Sequence, residues 1–407
     1  MKIAMFTDYF YPELGGIQDS IATVSRALGR RGHVVDIHAP RYGAGDYRRI
    51  GAAVGERDLG GNVRIRRRMS LPFPSSTRQS RAALPSPAAW VALAGRARPD
   101  VIHSHSFFGI GLEALLAGAW LGIPVIGTNH TTIAGFAPHI PVSVDRAAAY
   151  VMWYYNRCDH VTAPSRSVFE ELGPDRLRRP HRVVSNPIDI ELFTPAEAIA
   201  RDATRDRFGL SGPTITYAGR LGPEKNIDVI LHAMAALRDQ GIAAELAIAG
   251  HGSHEPVLRV LAAELRIAER VRFLGTLAPD DLARLLQISD IFAMMSTSET
   301  QSMVLLQAMA SGVPVVAANT RALPEFVGPA NGVLVDSHDS ARLAAAFAEL
   351  LAAPDLRRRL GSAGRRSAET YGVETVTDAW EVLYRSVLDR GHSRERAKGD
   401  QFRRAGV

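Results

Sequence analysis

Residues 291–317 constrain the fold more than any other stretch of the chain. An apolar segment leads through a polar loop into a helical segment, which ends at Ser311-Gly312 and is followed by β-branched residues. Strand, loop, helix and strand in this order form one unit of a parallel α/β sheet. Because the same alternation recurs on both sides of a central linker, the sequence predicts an α/β fold with doubly wound parallel sheets.

The length and the linker predict two domains. A chain of 407 residues is too long for one ordinary core, and the segment 183–195 has the prolines expected of a linker. We therefore predict a first domain at 1–187, a second at 188–373, a last helix at 374–389 and a charged, disordered tail at 390–407.

The composition narrows the class of protein. A hydrophobic content of 46% with 22% charged residues is typical of a soluble globular enzyme. No apolar run approaches the about 18 residues that a membrane span requires. The single cysteine, Cys158, excludes an internal disulfide, which agrees with a reducing compartment. The sequence therefore predicts a cytoplasmic location.

Clustered arginines give the chain a formal net charge of +6. The clusters lie at 64–68, 176–182 and 394–404. Such clusters attract nucleic acid or anionic lipid headgroups, although an arginine-rich solvated surface explains them equally well. Since no nucleic-acid-binding motif accompanies them, we predict no nucleic-acid partner. The favoured partner is an anionic membrane surface, which places the protein peripherally on the inner face of the cytoplasmic membrane.

The polar loop of residues 296–301 is a candidate ligand site. It places Glu299 and the first amides of a helix at the carboxyl end of a strand, where open α/β sheets bind ligands. Free N–H groups at a helix start favour an anion such as phosphate. A carboxylate beside them favours a group rich in hydroxyls. A sugar phosphate has both features.

Three other strand-to-helix loops carry residues that suit a phosphate. The pairs are Gly15 and Gly16, Arg220 and Lys225, and Gly250 and Gly252. Glycines let backbone N–H groups approach a pyrophosphate, and an arginine fork with a lysine point charge can converge on one diphosphate. Tight turns and solvated surface charges are the alternative interpretation of each pair.

Histidines follow two strands of the first domain. His130 ends a strand and can hydrogen-bond a sugar hydroxyl, although a lone histidine is more often structural. His103 and His105 end a neighbouring strand and are candidates for acceptor binding. They lack the third partner that a metal site requires, and no Asp-x-Asp pair is present. We therefore predict no metal and no cofactor, and the cations must stabilise the diphosphate.

Together these motifs resemble the retaining GT-B glycosyltransferases, in the family of glycosyl transferases group 1 that includes bacterial mannosyl- and glucosyl-lipid synthases. The motifs are Gly15-Gly16, Gly219-Arg220-x4-Lys225, Gly250-x-Gly252 and the segment from Ser296 through Glu299 and Gln307 to Val316. The resemblance implies two Rossmann-like doubly wound domains facing across a cleft. The first would bind the acceptor and the second a nucleotide sugar, and the last helix would return to the first domain.

The resemblance also implies a role for each site residue. Arg220 and Lys225 would hold the diphosphate with help from the Gly15-Gly16 amides, and Glu299 would contact sugar hydroxyls. His130 would lie against the transferred sugar. The remaining contacts, to the phosphate and the nucleotide, would come from Ser302, Met303, Val304 and Gln307.

Gln307 departs from the family pattern, which has a glutamate at this position to accept from the ribose hydroxyls. An amide offers one carbonyl oxygen and adds a donor, so the resemblance implies weaker nucleotide binding. The implied reaction is same-face attack by an acceptor hydroxyl, with stabilisation of the departing diphosphate and retention of configuration.

Loop similarities extend the resemblance to substrates. The loop 297–301 is similar to that of enzymes that glucosylate diacylglycerol, and 129–132 to the His-Thr loop of lipid mannosyl- and glucosyltransferases. These imply a UDP-hexose donor, such as UDP-glucose, and a membrane lipid acceptor. The alternatives are a soluble or polyprenyl-linked saccharide acceptor, GDP-mannose as donor, a non-catalytic nucleotide-sugar-binding protein, and a phosphorylase- or epimerase-like enzyme.

Overall fold

The computed structural model shows a chain that folds into two compact units. The first comprises Met1–Pro187 and Val373–Val407, and the second comprises Ile188–Gly372. The structure describes residues 1–13, 15–50, 52–72, 81–83, 94–95, 98–132, 143–173, 175–195 and 201–404.

A parallel sheet forms the centre of the first unit. Its strands run in the order β3-β2-β1-β6-β7-β8-β9, and a separate antiparallel pair is formed by β4 and β5. The strands are β1 Lys2–Phe6, β2 Val34–Pro40, β3 Val63–Arg68, β4 Ser70–Pro72, β5 Arg81–Ala83, β6 Val101–Ser104, β7 Val125–Thr128, β8 His160–Ala163 and β9 His181–Val183. The order reverses between β1 and β6, which is the switch point where such sheets bind ligands.

Helices cover both faces of this sheet. They are α1 Gly16–Arg30, α2 Ala44–Arg49, α3 Gly109–Leu121, α4 Val144–Tyr155, α5 Arg166–Leu172 and α14 Val373–Arg404. Alternate residues of β1 enter different cores: Ile3 and Met5 pack in one cluster, and Ala4 and Phe6 in the other. The period of two in a strand produces this division, so β1 is buried on both sides.

The helix α14 belongs to the first unit. Its side chains Trp380 and Tyr384 are buried in the cluster that also contains Ile3 and Met5. Arg31 donates to Asp378 at 2.6 Å and anchors the start of the helix to α1. The packing is that of an amphipathic helix with its apolar face inward.

The helix continues through Arg404, where the sequence predicts a disordered tail from residue 390. The predicted disorder of this segment stays a prediction. The segment has good helix formers such as Arg396, Ala397 and Lys398, and a helix already nucleated by packing extends at little cost. Residues 405–407, the end of the predicted tail, lie outside the described residues.

The second unit repeats the architecture of the first. Its parallel sheet has the order β12-β11-β10-β13-β14-β15, with the switch point between β10 and β13. The strands are β10 Thr214–Ala218, β11 Glu245–Ala249, β12 Val271–Gly275, β13 Ile291–Met294, β14 Val315–Ala318 and β15 Gly332–Val335. The helices are α6 Arg201–Arg207, α7 Ile227–Asp239, α8 Glu255–Glu264, α9 Pro279–Ile288, α10 Met303–Ala310, α11 Leu323–Phe326, α12 Ser340–Ala352 and α13 Pro354–Glu369.

One continuous core holds the second unit together. The strands β10, β13 and β14 are buried along their whole length, as expected of parallel strands covered by helices on both faces. The stretch 291–317 therefore forms the strand, loop, helix and strand that its pattern predicts. Across the part of the chain that the structure describes, no helix is both long and apolar enough to span a bilayer.

Candidate functional site

Two loops meet at the switch point of the second unit. The loop after β10 ends at Asn226, whose φ of 49° is a left-handed conformation that asparagine tolerates. The Asn226 side chain donates to the carbonyl of Met295, after β13, at 3.0 Å. In return, the backbone N–H of Thr297 donates to the carbonyl of Glu224 at 3.1 Å. These two bonds hold the loops in one arrangement.

Lys225 and Glu299 form an ion pair between these loops. The Lys225 ammonium donates to Glu299 Oε1 at 2.7 Å and lies 3.3 Å from Ser298 Oγ and 3.4 Å from Ser296 Oγ. Each charged side chain is 14% exposed. A cation and an acceptor of hydroxyl protons therefore stand side by side, which is the combination that a sugar diphosphate requires.

Arg220 has a different partner from Lys225. Its guanidinium donates to Glu224 at 2.6 Å and is 58% exposed. The two cations predicted to converge on one diphosphate are thus each paired with a separate carboxylate. An exposed pair of this kind contributes about 0.2–1 kcal/mol, so a diphosphate can compete with Glu224 for the guanidinium.

The helix α10 begins directly after the Glu299 loop. Ser302 is its N-cap, and the hydroxyl accepts from the backbone N–H of Leu305 at 3.3 Å. The first turn of a helix has N–H groups without intrahelical acceptors, and here they belong to Met303 and Val304. These groups lie where the sequence predicts support for a phosphate.

Gln307 lies one turn further along α10. Its Oε1 is buried and has no hydrogen-bond partner among the residues that the structure describes. A buried acceptor left unsatisfied costs about 1–3 kcal/mol, and a ligand hydroxyl would remove that cost. The predicted ribose contact stays a prediction.

Gly250 and Gly252 pack the loop after β11 against the loop after β10. A Cβ on Gly250 would lie 1.8 Å from the carbonyl oxygen of Gly219, and one on Gly252 would lie 2.1 Å from that of Leu221. The Gly250 N–H already donates to Gly275 at 2.7 Å. Close backbone packing thus requires both glycines, and the amide of Gly250 is engaged within the protein.

Gly15 and Gly16 stand at the start of α1 in the first unit. Gly15 has an extended backbone that any residue adopts, and an added Cβ would approach only the flexible side chain of Gln18, at 2.9 Å. Internal packing gives no reason for glycine at position 15, which favours the close approach of a ligand to the first amides of this helix.

His130 is the end of a buried histidine chain in the first unit. Its Nε2 lies 3.0 Å from Nδ1 of His105, with the two rings stacked. His103 lies next to His105 and is hydrogen-bonded through Nδ1 to Tyr384 at 2.8 Å and through Nε2 to Thr128 at 2.6 Å. The helix α14 therefore fixes one end of this chain.

Burial keeps the three imidazoles neutral. Desolvation lowers the pKa of His103 to about 3 and that of His130 to about 4. Burial and the two neighbouring histidines hold the pKa of His105 well below its usual range. At neutral pH His130 can therefore donate or accept one hydrogen bond, and it carries no charge.

His103 is not available to an acceptor, contrary to the sequence-based prediction, because both its ring nitrogens are bonded within the protein.

The sequence analysis did not identify Asp8, a buried carboxylate near the same strand ends. Asp8 is buried at the end of β1 and accepts from the N–H of Ile110, at the start of α3, at 2.8 Å. Its position at the switch point of the first sheet was the only signal in the sequence. Within the described part of the chain, no cluster of three potential metal ligands is found.

Comparison with known proteins identifies two matching family models. The model described as Glycosyltransferase Family 4 matches residues 14–192, and the one described as Glycosyl transferases group 1 matches residues 201–367. A GDP-mannose-dependent alpha-mannosyltransferase of Mycolicibacterium smegmatis is 33% identical over 96% of this chain and 98% of its own length. An alpha-monoglucosyldiacylglycerol synthase of Streptococcus pneumoniae is 27% identical over 98% of this chain and 89% of its own length.

Solved structures share the architecture. Anabaena HepE in complex with UDP superposes with a TM-score of 0.76 at 19% identity, covering 95% of this chain and all of HepE. The lipopolysaccharide glycosyltransferase WaaG superposes with a TM-score of 0.68 at 15% identity, covering 94% of this chain and 99% of WaaG. The predicted GT-B fold with two parallel-sheet α/β domains is confirmed.

Proposed function

Because this chain belongs to the glycosyl transferases group 1 family, it is a glycosyltransferase that uses a nucleotide sugar, and we propose that it moves a hexose to a membrane lipid with retention of configuration. The observation that carries the proposal is the Lys225–Glu299 pair at the switch point of the second unit, 2.7 Å apart. It supplies a positive charge for the diphosphate and a carboxylate for the sugar hydroxyls in one place.

On the donor side, the leaving group is a nucleoside diphosphate that gains negative charge as the glycosidic bond breaks. Lys225 and the first N–H groups of α10 stabilise this charge, and Arg220 joins them once the diphosphate has replaced Glu224 as its partner. Glu299 accepts from hydroxyls of the sugar and orients it. Gln307 accepts from the ribose.

The proton of the attacking acceptor hydroxyl must be transferred to a base. In same-face attack the acceptor hydroxyl forms the new glycosidic bond as the bond to the diphosphate breaks, and the leaving phosphate oxygen takes the hydroxyl proton. His130 is a neutral hydrogen-bond partner of the sugar in this scheme. Its lowered pKa, about 4, excludes a resident imidazolium at neutral pH.

The relatives divide over both the acceptor and the donor. Several, among them one of Corynebacterium jeikeium that is 31% identical over 73% of this chain, are named D-inositol 3-phosphate glycosyltransferases, whereas two are named for lipid acceptors. The pneumococcal relative is named for diacylglycerol glucosylation, and a further relative, from Corynebacterium glutamicum, is named as a GDP-mannose-dependent mannosyltransferase acting on an acylated phosphatidylinositol mannoside. The relative at 33% identity is also named as a GDP-mannose-dependent enzyme. GDP-mannose is therefore a second candidate donor beside a UDP-hexose. We place the enzyme in the cytoplasm, bound peripherally to the inner face of the membrane.

A transfer assay tests the proposal. Purified protein receives labelled UDP-glucose, UDP-galactose or GDP-mannose, each with extracted membrane lipids, and the label is followed into organic and aqueous phases. We expect label in the organic phase from one donor, with the α-anomer of the new linkage shown by NMR. Label that appears only in a water-soluble saccharide would overturn the lipid acceptor and leave the enzyme class intact.

Three controls separate the alternatives. Binding of UDP or GDP without turnover on any acceptor indicates a binding protein, and dependence on inorganic phosphate indicates a phosphorylase. Because the cations are proposed to act in place of a metal, EDTA should leave the rate unchanged. A rate lost with EDTA and restored by Mg²⁺ contradicts that part of the proposal.

A further inference from the structure

The helix α3 of the first unit has an apolar face that no part of the described structure covers. Its sequence contains one polar side chain, Glu113, and that side chain is fully buried. Leu116, which is 50% exposed, and Trp120, which is 60% exposed, lie one turn apart on the solvent side of this helix. A helix that is apolar all round is normally buried on all sides. The outer face of α3 has the composition of a buried face, but it is exposed.

The apolar surface continues from α3 onto α4. Trp153 of α4 is 42% exposed, and an open groove of about 790 Å³ runs between it and α3. Leu112, Leu116 and Arg157 are among the residues that line the groove. We call Leu116, Trp120, Trp153 and this groove the α3–α4 surface.

Arginines border the α3–α4 surface. The Arg157 guanidinium lies 4.1 Å from the centre of the Trp153 ring. Asn156, at the end of α4, accepts from the backbone N–H of Arg178 at 2.8 Å and donates to the carbonyl of Arg176 at 3.0 Å. The arginine cluster at 176–182 is therefore tied directly to the rim of the surface.

A further arginine lies at the other end of α3. Arg98 donates to the carbonyl of Leu121, the last residue of α3, at 2.7 Å. In the described part of the chain, Arg98, Arg157, Arg176 and Arg178 form no ion pair with a carboxylate. Asp159 lines the groove itself and accepts from the backbone N–H of Val125 at 3.0 Å. Its charge, and those of the exposed Asp145 and Asp175, offset part of the arginine charge.

We propose that the α3–α4 surface docks the protein onto an anionic lipid bilayer. Tryptophan is the side chain preferred at the boundary of headgroups and acyl chains, and leucine enters the acyl region. Each arginine near an anionic bilayer adds electrostatic attraction, and an apolar face with a cationic border is the pattern of interfacial helices.

Charge favours the bilayer over a second copy of the chain. A symmetric dimer through this surface would bring the same unpaired arginines of two copies together, whereas lipid phosphates complement them. The inference rests on the proposed function. Docking on the bilayer would bring an enzyme whose nucleotide-sugar donor is dissolved in water to an acceptor that lies in the membrane.

Vesicle flotation tests the inference without substrate. Vesicles of phosphatidylcholine alone or with about 30% phosphatidylglycerol contain no glycosyl donor, and binding is measured at low and high salt. We expect binding to the anionic vesicles, weakened by salt. Leu116→Glu and, separately, Trp120→Ser should each reduce it at least tenfold, and Arg176→Ala with Arg178→Ala should reduce it mainly at low salt.

Matched controls lie on the second unit. Val257 and Val260 of α8 are 54% and 58% exposed, so Val257→Glu and Val260→Glu place a charge on an equally exposed apolar position and should leave vesicle binding unchanged. Undiminished binding by both Leu116→Glu and Trp120→Ser, with circular dichroism unchanged, overturns the proposal. So does a dimer in light scattering that either variant dissociates.

A second readout separates this inference from the proposed function. With a detergent-solubilised lipid acceptor, Leu116→Glu should retain full transfer, whereas on vesicles its rate should fall with binding. Vesicle binding without transfer to any lipid defeats the proposed function and leaves the docking surface standing. Transfer to vesicle lipids that is as fast in Leu116→Glu as in the parent defeats the docking surface and leaves the function standing.

Discussion

The two units share a strand order and differ in the chemistry at its switch point. In the second unit the switch point holds charged side chains, Lys225 and Glu299, which are each 14% exposed. The first unit has fully buried His103 next to His105 and His130, all neutral because burial lowers their pKa values. Topology thus decides where groups converge, and burial decides what charge they carry.

Removing the carboxylate of the second unit should have the largest effect. Glu299→Ala should lower kcat by about 10²–10³-fold, the usual loss when a group that stabilises the transition state is removed. Nucleotide affinity should change only a few-fold, because Glu299 is proposed to contact the sugar and not the nucleotide. Steady-state kinetics and calorimetric titration with UDP and GDP measure the two quantities. Parallel losses in both would contradict a sugar-facing role.

Removing the positive charge of Lys225 should weaken nucleotide binding more than it lowers kcat. Lys225→Met should weaken binding of the nucleoside diphosphate by about ten- to a hundredfold, since a hydrogen bond to a charged group contributes about 1.5–3 kcal/mol. Arg220→Met is the comparison variant. The guanidinium of Arg220 is exposed, so its loss should weaken binding less than the loss of Lys225. A larger effect of Arg220→Met would make Arg220, and not Lys225, the main cation for the diphosphate.

Acid should destabilise the first unit more than the second. Burial lowers the folded pKa values of five histidines of the first unit below the unfolded value of about 6.5; these are His38, His103, His105, His130 and His160. Burial also raises the pKa of Glu13 to about 7, and this group opposes the effect of the histidines. Between pH 6.5 and about 4 the unfolded chain therefore binds more protons, and stability falls as pH falls. Each histidine contributes a slope of about 1.4 kcal/mol per pH unit in that window.

Tryptophan fluorescence reads out this difference directly. All 4 tryptophans of the sequence belong to the first unit, so denaturant unfolding followed at 350 nm should show a midpoint that drops between pH 7 and pH 5. His251→Gln removes an exposed histidine of the second unit and should not alter the drop. A midpoint independent of pH would show that the histidines are not buried as neutral groups.

The smallest expected effect is an increase in nucleotide affinity. Gln307→Glu replaces a buried amide, whose Oε1 has no partner among the described residues, with a carboxylate that accepts from both ribose hydroxyls. Nucleotide affinity should rise about three- to tenfold. Unchanged affinity would remove Gln307 from the ribose contact.

Much of the fold was predictable because its signals are local. The period of two in strands, the helical period and the glycine and proline stops placed the strand, loop, helix and strand of residues 291–317 correctly. Parallel strands end at a common edge, so the candidate loops followed from the same pattern. The tail after residue 390 shows the limit of local signals, because its charge indicates disorder while a helix held by the packing of Trp380 and Tyr384 continues through Arg404.

The sequence by itself determined which residue types stand at the strand ends: Lys225, Glu299, Gly250 and the histidines. Only the tertiary structure decided their partners. Lys225 and Glu299 are 74 positions apart, and Tyr384 is 281 positions from the His103 that it fixes. The same structure assigned Gly250 to backbone packing and Arg220 to Glu224. Spacing along a chain sets which side chains share a face, but hydrogen bonds and desolvation depend on distances that exist only once the sheet has assembled.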